Sequence, residues 1–415
     1  MEKIRGVWLT NVDSEVLDSK KKIAEAMNLL EDTGFNTVFP VVWNKGYTLY
    51  RSGVLKTEFG QEIDPNPKYA GRDPLAEVIE AAHAKKLKVI PWFEFGFAAS
   101  FEANGGHIIA KKPNWSAKDQ NGDLLKKNGF EWMNALSSEV QDFLERLILE
   151  VVNNYPVEGI QGDDRLPAMP SEGGYDADTV SRYKAKFGKE PPKNTKDELW
   201  LQWRADILTN FLADLTSKVK TIRKELIISM APSPYPFGFN EYLQDVPNWI
   251  KRDLVDILHP QLYRTGLNDY NQLLDDTVDR FTQKKLSKVF PGILAKEGNF
   301  LIDTDDCWQV IKKNRNAGIR GEVLFFHEAL TLNSNELANF LKKKKYAEFL
   351  ILRRGHFGAD VEELQNLLIQ KGFYKGRTDS DFGALTESAV EAFQASVGLS
   401  VDGIVGSATY AELLK

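Results

Sequence analysis

The 415-residue chain has a single cysteine, Cys307, which excludes an internal disulfide and a cysteine-based metal site. It has no apolar run near the roughly 20 residues that a bilayer-spanning helix requires. Its opening stretch, Met-Glu-Lys-Ile-Arg-Gly-Val-Trp-Leu-Thr, shows neither the charged nor the apolar region of a secretory leader. There is no basic excess either: 53 Lys and Arg against 59 Asp and Glu leave a net charge of -6, which argues against a nucleic-acid or anionic-membrane partner. Also missing are an HExxH pair, a glycine-rich phosphate loop and a nucleophile-elbow serine. No cofactor, no metal, no membrane span and no obligatory protein partner are therefore expected. What is present, 42% hydrophobic and 27% charged residues, is an ordinary globular composition, with length for one large domain plus a small one or for two to three of average size.

Apolar runs and helical spacing alternate along most of the chain. Strand-like segments are expected at 4–11, 37–43, 88–95, 159–162, 226–231, 255–263, 288–296 and 321–328. Between them lie helical stretches such as 20–32, where Ile23, Met27 and Leu30 share a face. Eight β-then-α units imply a parallel sheet closed into a (β/α)8 TIM barrel. Several strand-to-helix loops run to tens of residues while helix-to-strand links are short, and such a barrel carries its chemistry on the strand-to-helix face. Those long loops hold Tyr47, Tyr50, Phe101, Trp115, Trp132 and Tyr175. Flat rings of this kind either bind sugar faces or pack the loops together.

One stretch stands out. Gly159-Ile160-Gln161-Gly162-Asp163-Asp164-Arg165 is an apolar strand that stops at two adjacent carboxylates and a guanidinium. Adjacent acids repel when ionised, so holding them together requires a cation, donors or a raised pKa. Arg165 supplies part of that relief. Alternation along the strand puts Asp163 on the same side as Gln161, which makes it the better candidate to point inward.

The barrel pattern ends near Lys342-Lys343-Lys344-Lys345, and from about residue 349 the sequence changes character. Two copies of one pattern follow, Asp379 with Gly383 and Thr386, then Asp402 with Gly406 and Thr409, each placing a glycine turn before a short helix. A small three-helix, all-α module is expected. Residues 350–415 resemble the peptidoglycan-binding type 1 module through Arg354-Gly355, Val361 with Leu364-Gln365, Gly383 with Thr386, Ala389-Val390 with Phe393-Gln394, and Asp402-Gly403-Ile404-Val405-Gly406 with Thr409. Ser380 departs from the pattern, which usually has glycine there.

Residues 1–345, in turn, resemble a glycoside-hydrolase-like family related in name to glycosidase family 10. The resemblance rests on Arg5-Gly6-Val7-Trp8-Leu9-Thr10, Asp73-Pro74-Leu75, Pro91-Trp92-Phe93, Gly159-Ile160 with Asp163-Asp164, His259-Pro260-Gln261-Leu262-Tyr263 and Glu322-Val323-Leu324-Phe325-Phe326. It departs from family 10 xylanases, whose catalytic glutamates follow strands four and seven; here strand four ends in aspartates. The two resemblances together imply a glycosidase acting on peptidoglycan glycan strands in the cell envelope or beyond.

Glycoside hydrolysis requires two carboxyl groups about the scissile bond. The strand ends offer Asp163 and Asp164 on strand four, Glu94 on strand three and Glu328 on strand eight. Neighbouring strands lie about 4.8 Å apart, so Glu94 and Asp163 would raise each other's proton affinity; Glu328 is the alternative partner. His259, Gln261 and Tyr263 alternate along strand six as a polar rim, and Trp43, Trp92 and Arg165 complete the residues expected to contact sugar. Other readings stay open: a non-catalytic wall-binding protein, or a glycosidase of another polysaccharide.

Overall fold

The computed structural model describes residues 3–346 and 349–415, the side chains of 283 and 284 excepted. The eight strands are β1 Arg5–Leu9, β2 Thr37–Pro40, β3 Lys88–Val89, β4 Gly159–Gly162, β5 Ile227–Met230, β6 Ile257–Leu258, β7 Gly292–Leu294 and β8 Glu322–Phe325. Helices separate them, including Lys20–Thr33, Pro74–Ala84, Ser138–Asn154, Glu198–Ile222 and Thr304–Asn316. Their starts follow local chemistry. Asp73, Asp197 and Asp303 each cap a helix by accepting from amides of its first turn, and Pro74 occupies a position whose N–H would have no partner. Among the described residues no helix is long and apolar enough to cross a membrane.

Several strands are shorter than their apolar runs, and proline is the reason. Pro40, Pro91, Pro232 and Pro291 stand at strand ends and have no N–H to give the ladder, so regular pairing breaks there. Their carbonyls still accept. Pro40 O takes Trp92 N at 2.8 Å, Pro91 O takes Gln161 N at 2.8 Å, Pro232 O takes Gln261 N at 3.0 Å and Pro291 O takes Val323 N at 2.9 Å. The sheet therefore continues laterally past each interruption, toward the strand ends that carry the site.

The chain divides into two compact units. One comprises Trp8–Met27 and Thr37–Gln261. Within it β2 pairs with β3, single parallel bridges join Val41 to Trp92 and Trp92 to Gln161, and β4, β5 and β6 pair in that order, all parallel. Its strands are buried, as a sheet covered by helices requires. A separate antiparallel sheet, Ala98–Phe101 with Phe130–Trp132 and Lys126–Lys127, grows from the loop after β3.

The second unit comprises Met1–Val7, Asn28–Asn36 and Leu262–Lys415. Here β8 lies between β7 and the first half of β1. At the start of β8 the buried Glu322 takes two bonds from Arg315, at 2.8 and 3.0 Å, and one from the Tyr346 hydroxyl at 2.6 Å. The helix after β8, Glu328–Lys343, is broken by non-helical residues from Leu332 to Asn335.

Three helices, Ala359–Gln370, Ala384–Ser396 and Ser407–Leu413, form the C-terminal module around Val361, Leu364, Leu368, Phe382, Val390, Phe393 and Val405. The repeat seen in the sequence has a structural counterpart in two buried glutamines. Gln365 donates to Asp379, the Asp381 carbonyl and Thr386 and accepts from the Asp379 and Ser380 amides. Gln394 makes the same set with Asp402, Ile404, Thr409 and the amides of Asp402 and Gly403. The corresponding turn residues both have positive φ, 62° at Ser380 and 67° at Gly403. Serine pays for that conformation with a Cβ clash that glycine lacks. Ser380→Gly is expected to stabilise the module by about 1 kcal/mol, read as a higher denaturation midpoint of the intact chain; a lower midpoint would show that the Ser380 hydroxyl bond to Glu362 outweighs the strain.

Candidate active site

At the ends of β3 and β4 one guanidinium is held among three carboxylates. Arg165 approaches Asp163 Oδ2 at 3.1 Å, Asp164 Oδ1 at 2.8 Å and Glu94 Oε1 at 3.6 Å. Its Nε donates to the Glu94 carbonyl at 2.9 Å, and its plane lies 4.6 Å from the centre of the Phe130 ring. Backbone contact fixes this arrangement: Phe97 N donates to Arg165 O at 3.0 Å, and Gly96, with φ +47°, has no room for a Cβ, which would stand 2.1 Å from that same oxygen. Only glycine lets the two loops approach so closely.

The carboxylates are oriented individually. Asp163 is 3% exposed; its Oδ1 accepts from Gln261 Nε2 and from the Asp164 amide, and its own carbonyl accepts from Gln244. Asn44 Nδ2 donates to Glu94 Oε2. Below them Gln161 accepts from the Trp8 indole at 2.6 Å and donates to Ser229 at 2.9 Å, closing the inner layer without an unmatched polar atom on that amide.

Three acids against one base leave an excess of negative charge in a site with little water. Burial first, then the Asp164 charge and, more weakly, Glu94, push the Asp163 carboxyl well above its ordinary range against the pull of Arg165. Burial also raises Asp164 and Glu94, again opposed by Arg165, and in Glu94 by the Asn44 bond as well. Desolvation works against the Arg165 charge, but the three carboxylates more than offset it and hold the guanidinium firmly protonated. The three carboxyls thus hold their protons more tightly than separate carboxyls would, Asp163 most of all. Among the described residues no group of three or more His, Cys, Asp or Glu is arranged to hold a metal ion; the cation among these acids is a side chain.

Two supports of the site are absent from the sequence reading. Arg204, fully buried on the helix Glu198–Ile222, donates to the carbonyls of Trp200, Ser171, Gly173 and Thr195. It pins the loop that follows Arg165, and desolvation lowers its pKa to about 9. Nothing in the local sequence distinguishes it from a surface arginine. The antiparallel sheet carrying Phe130 was legible, because Asn128-Gly129, with φ of 52° and 81°, is the pair a two-residue hairpin turn demands. Lys127 beside it is tied to Glu172 at 2.9 Å and Glu241 at 2.7 Å.

Other expected contacts fall differently. Trp43 is fully buried, donates to the Gly96 carbonyl at 3.0 Å and packs on Phe143, so its ring shapes the turn under Glu94 instead of facing solvent. Trp92 is 2% exposed and packs against Trp8. His259, expected on a rim, is fully enclosed between Phe39 and Trp8, because the strand-six segment keeps pairing with β5 through His259 N and carries the ring into the inner layer. Gln261 is spent on Asp163. Tyr263 and Glu328 belong to the second unit, where Tyr263 stacks on Phe325 at 4.9 Å and Glu328, half-buried, opens the helix after β8. Of the loop aromatics, Tyr50, Trp115 and Trp132 are buried and Tyr47 stacks on His107, which makes them packing residues; Phe101 is exposed.

The raised Asp163 pKa has a stability consequence. Above the ordinary carboxylate value of about 3.9, the unfolded chain gives up that proton while the folded chain keeps it, so stability falls as pH rises toward the raised folded value and stays reduced beyond it. Asp163→Asn is expected to raise the thermal midpoint at about pH 7.5 and to lose the advantage as pH is lowered to about 4. A midpoint lower than the parent's at the higher pH would show that the Arg165 contact dominates.

Comparison with known proteins agrees with this picture. Residues 3–309 match the family described as glycosyl hydrolase-like 10, and residues 357–413 match a peptidoglycan binding domain. The chain is 25% identical over 278 residues to the glycosyl hydrolase DigH of Escherichia coli O6:H1, covering 61% of this chain and 60% of that protein. It thus spans about three fifths of the length of that relative. Its C-terminal part is 45% identical over 65 residues to the spore cortex-lytic enzyme of Bacillus cereus, 16% of this chain and 25% of that protein. In structure it is similar to the PgaB glycoside hydrolase domain of Bordetella bronchiseptica, with a TM-score of 0.59, 12% identity, and coverage of 82% of this chain and 99% of that one. That likeness shows a TIM-barrel-like fold, and the family match over most of the chain places this protein in the glycosyl hydrolase-like 10 family.

Proposed function

We propose that the chain is a glycoside hydrolase that cuts the glycan strands of bacterial cell-wall peptidoglycan, acting outside the cytoplasm. A closed (β/α)8 barrel over residues 1–345 would be its catalytic domain, and residues 350–415 would hold it to the wall. The observation that carries the reading is the buried cluster of Asp163, Asp164 and Glu94 about Arg165, in a chain that also carries a peptidoglycan-binding domain. The tether acts through effective concentration, keeping a weakly binding site near a polymer that diffuses little.

In this reading Asp163 is the general acid. Both its oxygens accept hydrogen bonds, Oδ1 from Gln261 and the Asp164 amide and Oδ2 from Arg165, while burial and the Asp164 charge raise its affinity for a proton. Glu94, which takes an Asn44 bond and faces Arg165, serves as the partner carboxylate. Arg165 holds the pair and moderates the charge when the proton leaves. Asp163 Oδ2 and Glu94 Oε1 lie 3.1 and 3.6 Å from the same guanidinium nitrogen, so they are no farther apart than those distances laid end to end, and any bend brings them closer. That favours the roughly 5 Å separation of retaining enzymes over the roughly 6.5–9.5 Å that admits a water. One observation favours a second reading: with Asp163 only 3% exposed, the chain would be a wall-binding protein that keeps the cluster without turnover.

Mass spectrometry of the soluble products from purified wall glycan, with and without stem peptides, tests this. Amino-sugar fragments are expected from the parent, with release slowed about a hundredfold or more in Asp163→Asn, the range for loss of a general acid, and NMR of fresh product is expected to show retained anomeric configuration. Inverted product would remove Glu94 from its role. Silence on wall glycan with wall binding intact would favour the binder, and release only from other polysaccharides would overturn the substrate.

A further inference from the structure

Among the described residues only two aromatic side chains are exposed, Phe101 at 42% and Phe237 at 54%. Each is linked to the carboxylate cluster through a neighbouring aromatic ring, from different loops. Phe101 lies beside Phe130, with ring centres 5.1 Å apart and edge-to-face, and Phe130 carries Arg165 at 4.6 Å on its face. Strand register puts Phe101, Phe130 and Lys127 in one row on one face of the antiparallel sheet. Lys127 lies 4.9 Å from the Tyr242 ring, whose hydroxyl accepts from Asn128 at 3.0 Å. Tyr242 in turn packs against Phe237 at 6.0 Å, and burial together with the Asp164 charge raises its hydroxyl pKa to about 12.

We infer that Phe101 and Phe237 are sugar-stacking platforms of two binding subsites flanking the carboxylate cluster, and that they take N-acetylated hexosamine units of one glycan strand. The inference rests on the proposed hydrolase reading and adds to it the path of the substrate. An exposed phenyl ring costs solvation free energy unless something apolar covers it, and a sugar's C–H face is the surface that fits a flat ring beside a polar, hydrogen-bonding site. The rest of the aromatic complement is at least half-buried, so these two are a departure from how this sequence disposes of its rings. The Phe101 ring is also held in place. Gly129, at φ +81°, leaves no space for a Cβ, which would meet Phe101 Cε2 at 2.5 Å, so the ring lies flat on the hairpin turn before any ligand arrives. A platform ordered in advance loses less entropy on binding. Each phenyl sits one aromatic neighbour away from the cluster, on the β3 side through Phe130 and on the β5 side through Tyr242, which sets a strand running across the site between the two loops.

The test uses the intact chain and N-acetylglucosamine–N-acetylmuramic acid oligosaccharides of graded length. Phe101→Ala and Phe237→Ala are each expected to lower kcat/KM on long strands by about three- to tenfold, as loss of one stacked ring implies. The shortest cleaved oligosaccharide should show no change, and Phe101→Trp and Phe237→Trp should retain the gain with length. As a readout independent of turnover, 4-fluorophenylalanine at 101 or at 237 in the Asp163→Asn chain should shift its fluorine resonance on addition of the long oligosaccharide. Cleavage by the parent with both alanine variants equal to it at every length, and no fluorine shift, would overturn the inference and leave the hydrolase reading standing. Fluorine shifts without cleavage would do the reverse.

Discussion

Arg165 and the three carboxylates around it are the constraint on which the site depends. A guanidinium removed from water is costly unless charge and hydrogen bonds replace what it loses. Here that replacement draws four loops together. Glu94 comes from the end of β3, Asp163 and Asp164 from β4, Gln244 from the loop after β5, and Gln261 from the segment after β6. Each of those strands ends at or near this charge, and the glycine at position 96 exists so that the β3 loop can touch the Arg165 carbonyl. Removing the arginine would leave three acids with no cation between them, which is a larger disturbance than losing any one of the acids.

Much of this was readable in the chain. The alternation of apolar runs and helical spacing located all eight strands, and the abrupt stop of an apolar strand at Asp163-Asp164-Arg165 marked the site, because adjacent like charges need a local reason. Strand lengths were over-read for a definable cause: apolar character persists through Pro40, Pro91 and Pro291, while the ladder stops where the N–H is missing. Which rings touch solvent was not readable. Trp43, Trp92 and Trp132 have the composition of sugar platforms, yet burial depends on what the fold lays over them, and a tryptophan offers more area to cover than any other side chain. The same limit applies to His259, whose place in alternation was right and whose depth was not.

Long-range polar contacts were the other silent part. Gln161 meets Trp8 and Ser229 across 153 and 68 residues of chain, and no local pattern encodes such a meeting. In the C-terminal module the reverse holds. Gln365 and Gln394 reach partners 8 to 21 residues away, twice over, in the same order. A short-range network repeated in one chain is written as a repeat of residue types, which is why the module was legible down to the single departure at Ser380.

Three buried or nearly buried arginines show how the chain separates stability from chemistry. Arg315 is matched by the one carboxylate of Glu322 through two bonds, and the pair lies at the start of β8, the opposite strand end from the one where Asp163 follows β4. Arg204 has no carboxylate partner and is held by four backbone carbonyls, whose dipoles solvate it without adding net charge. Arg315 is balanced by its carboxylate, whereas Arg204 keeps its positive charge among neutral carbonyls and burial lowers its pKa to about 9. Arg165 is the exception, because its surroundings carry more negative charge than it can neutralise. An imbalance of that kind opposes folding, as the raised Asp163, Asp164 and Glu94 carboxyls indicate. Natural sequences break local consistency chiefly where function requires it, and at Arg315 this chain buries the same side chain against a single matched carboxylate. The unbalanced cluster therefore does not serve to stabilise the strand ends, and it is the feature on which the proposed general-acid role rests.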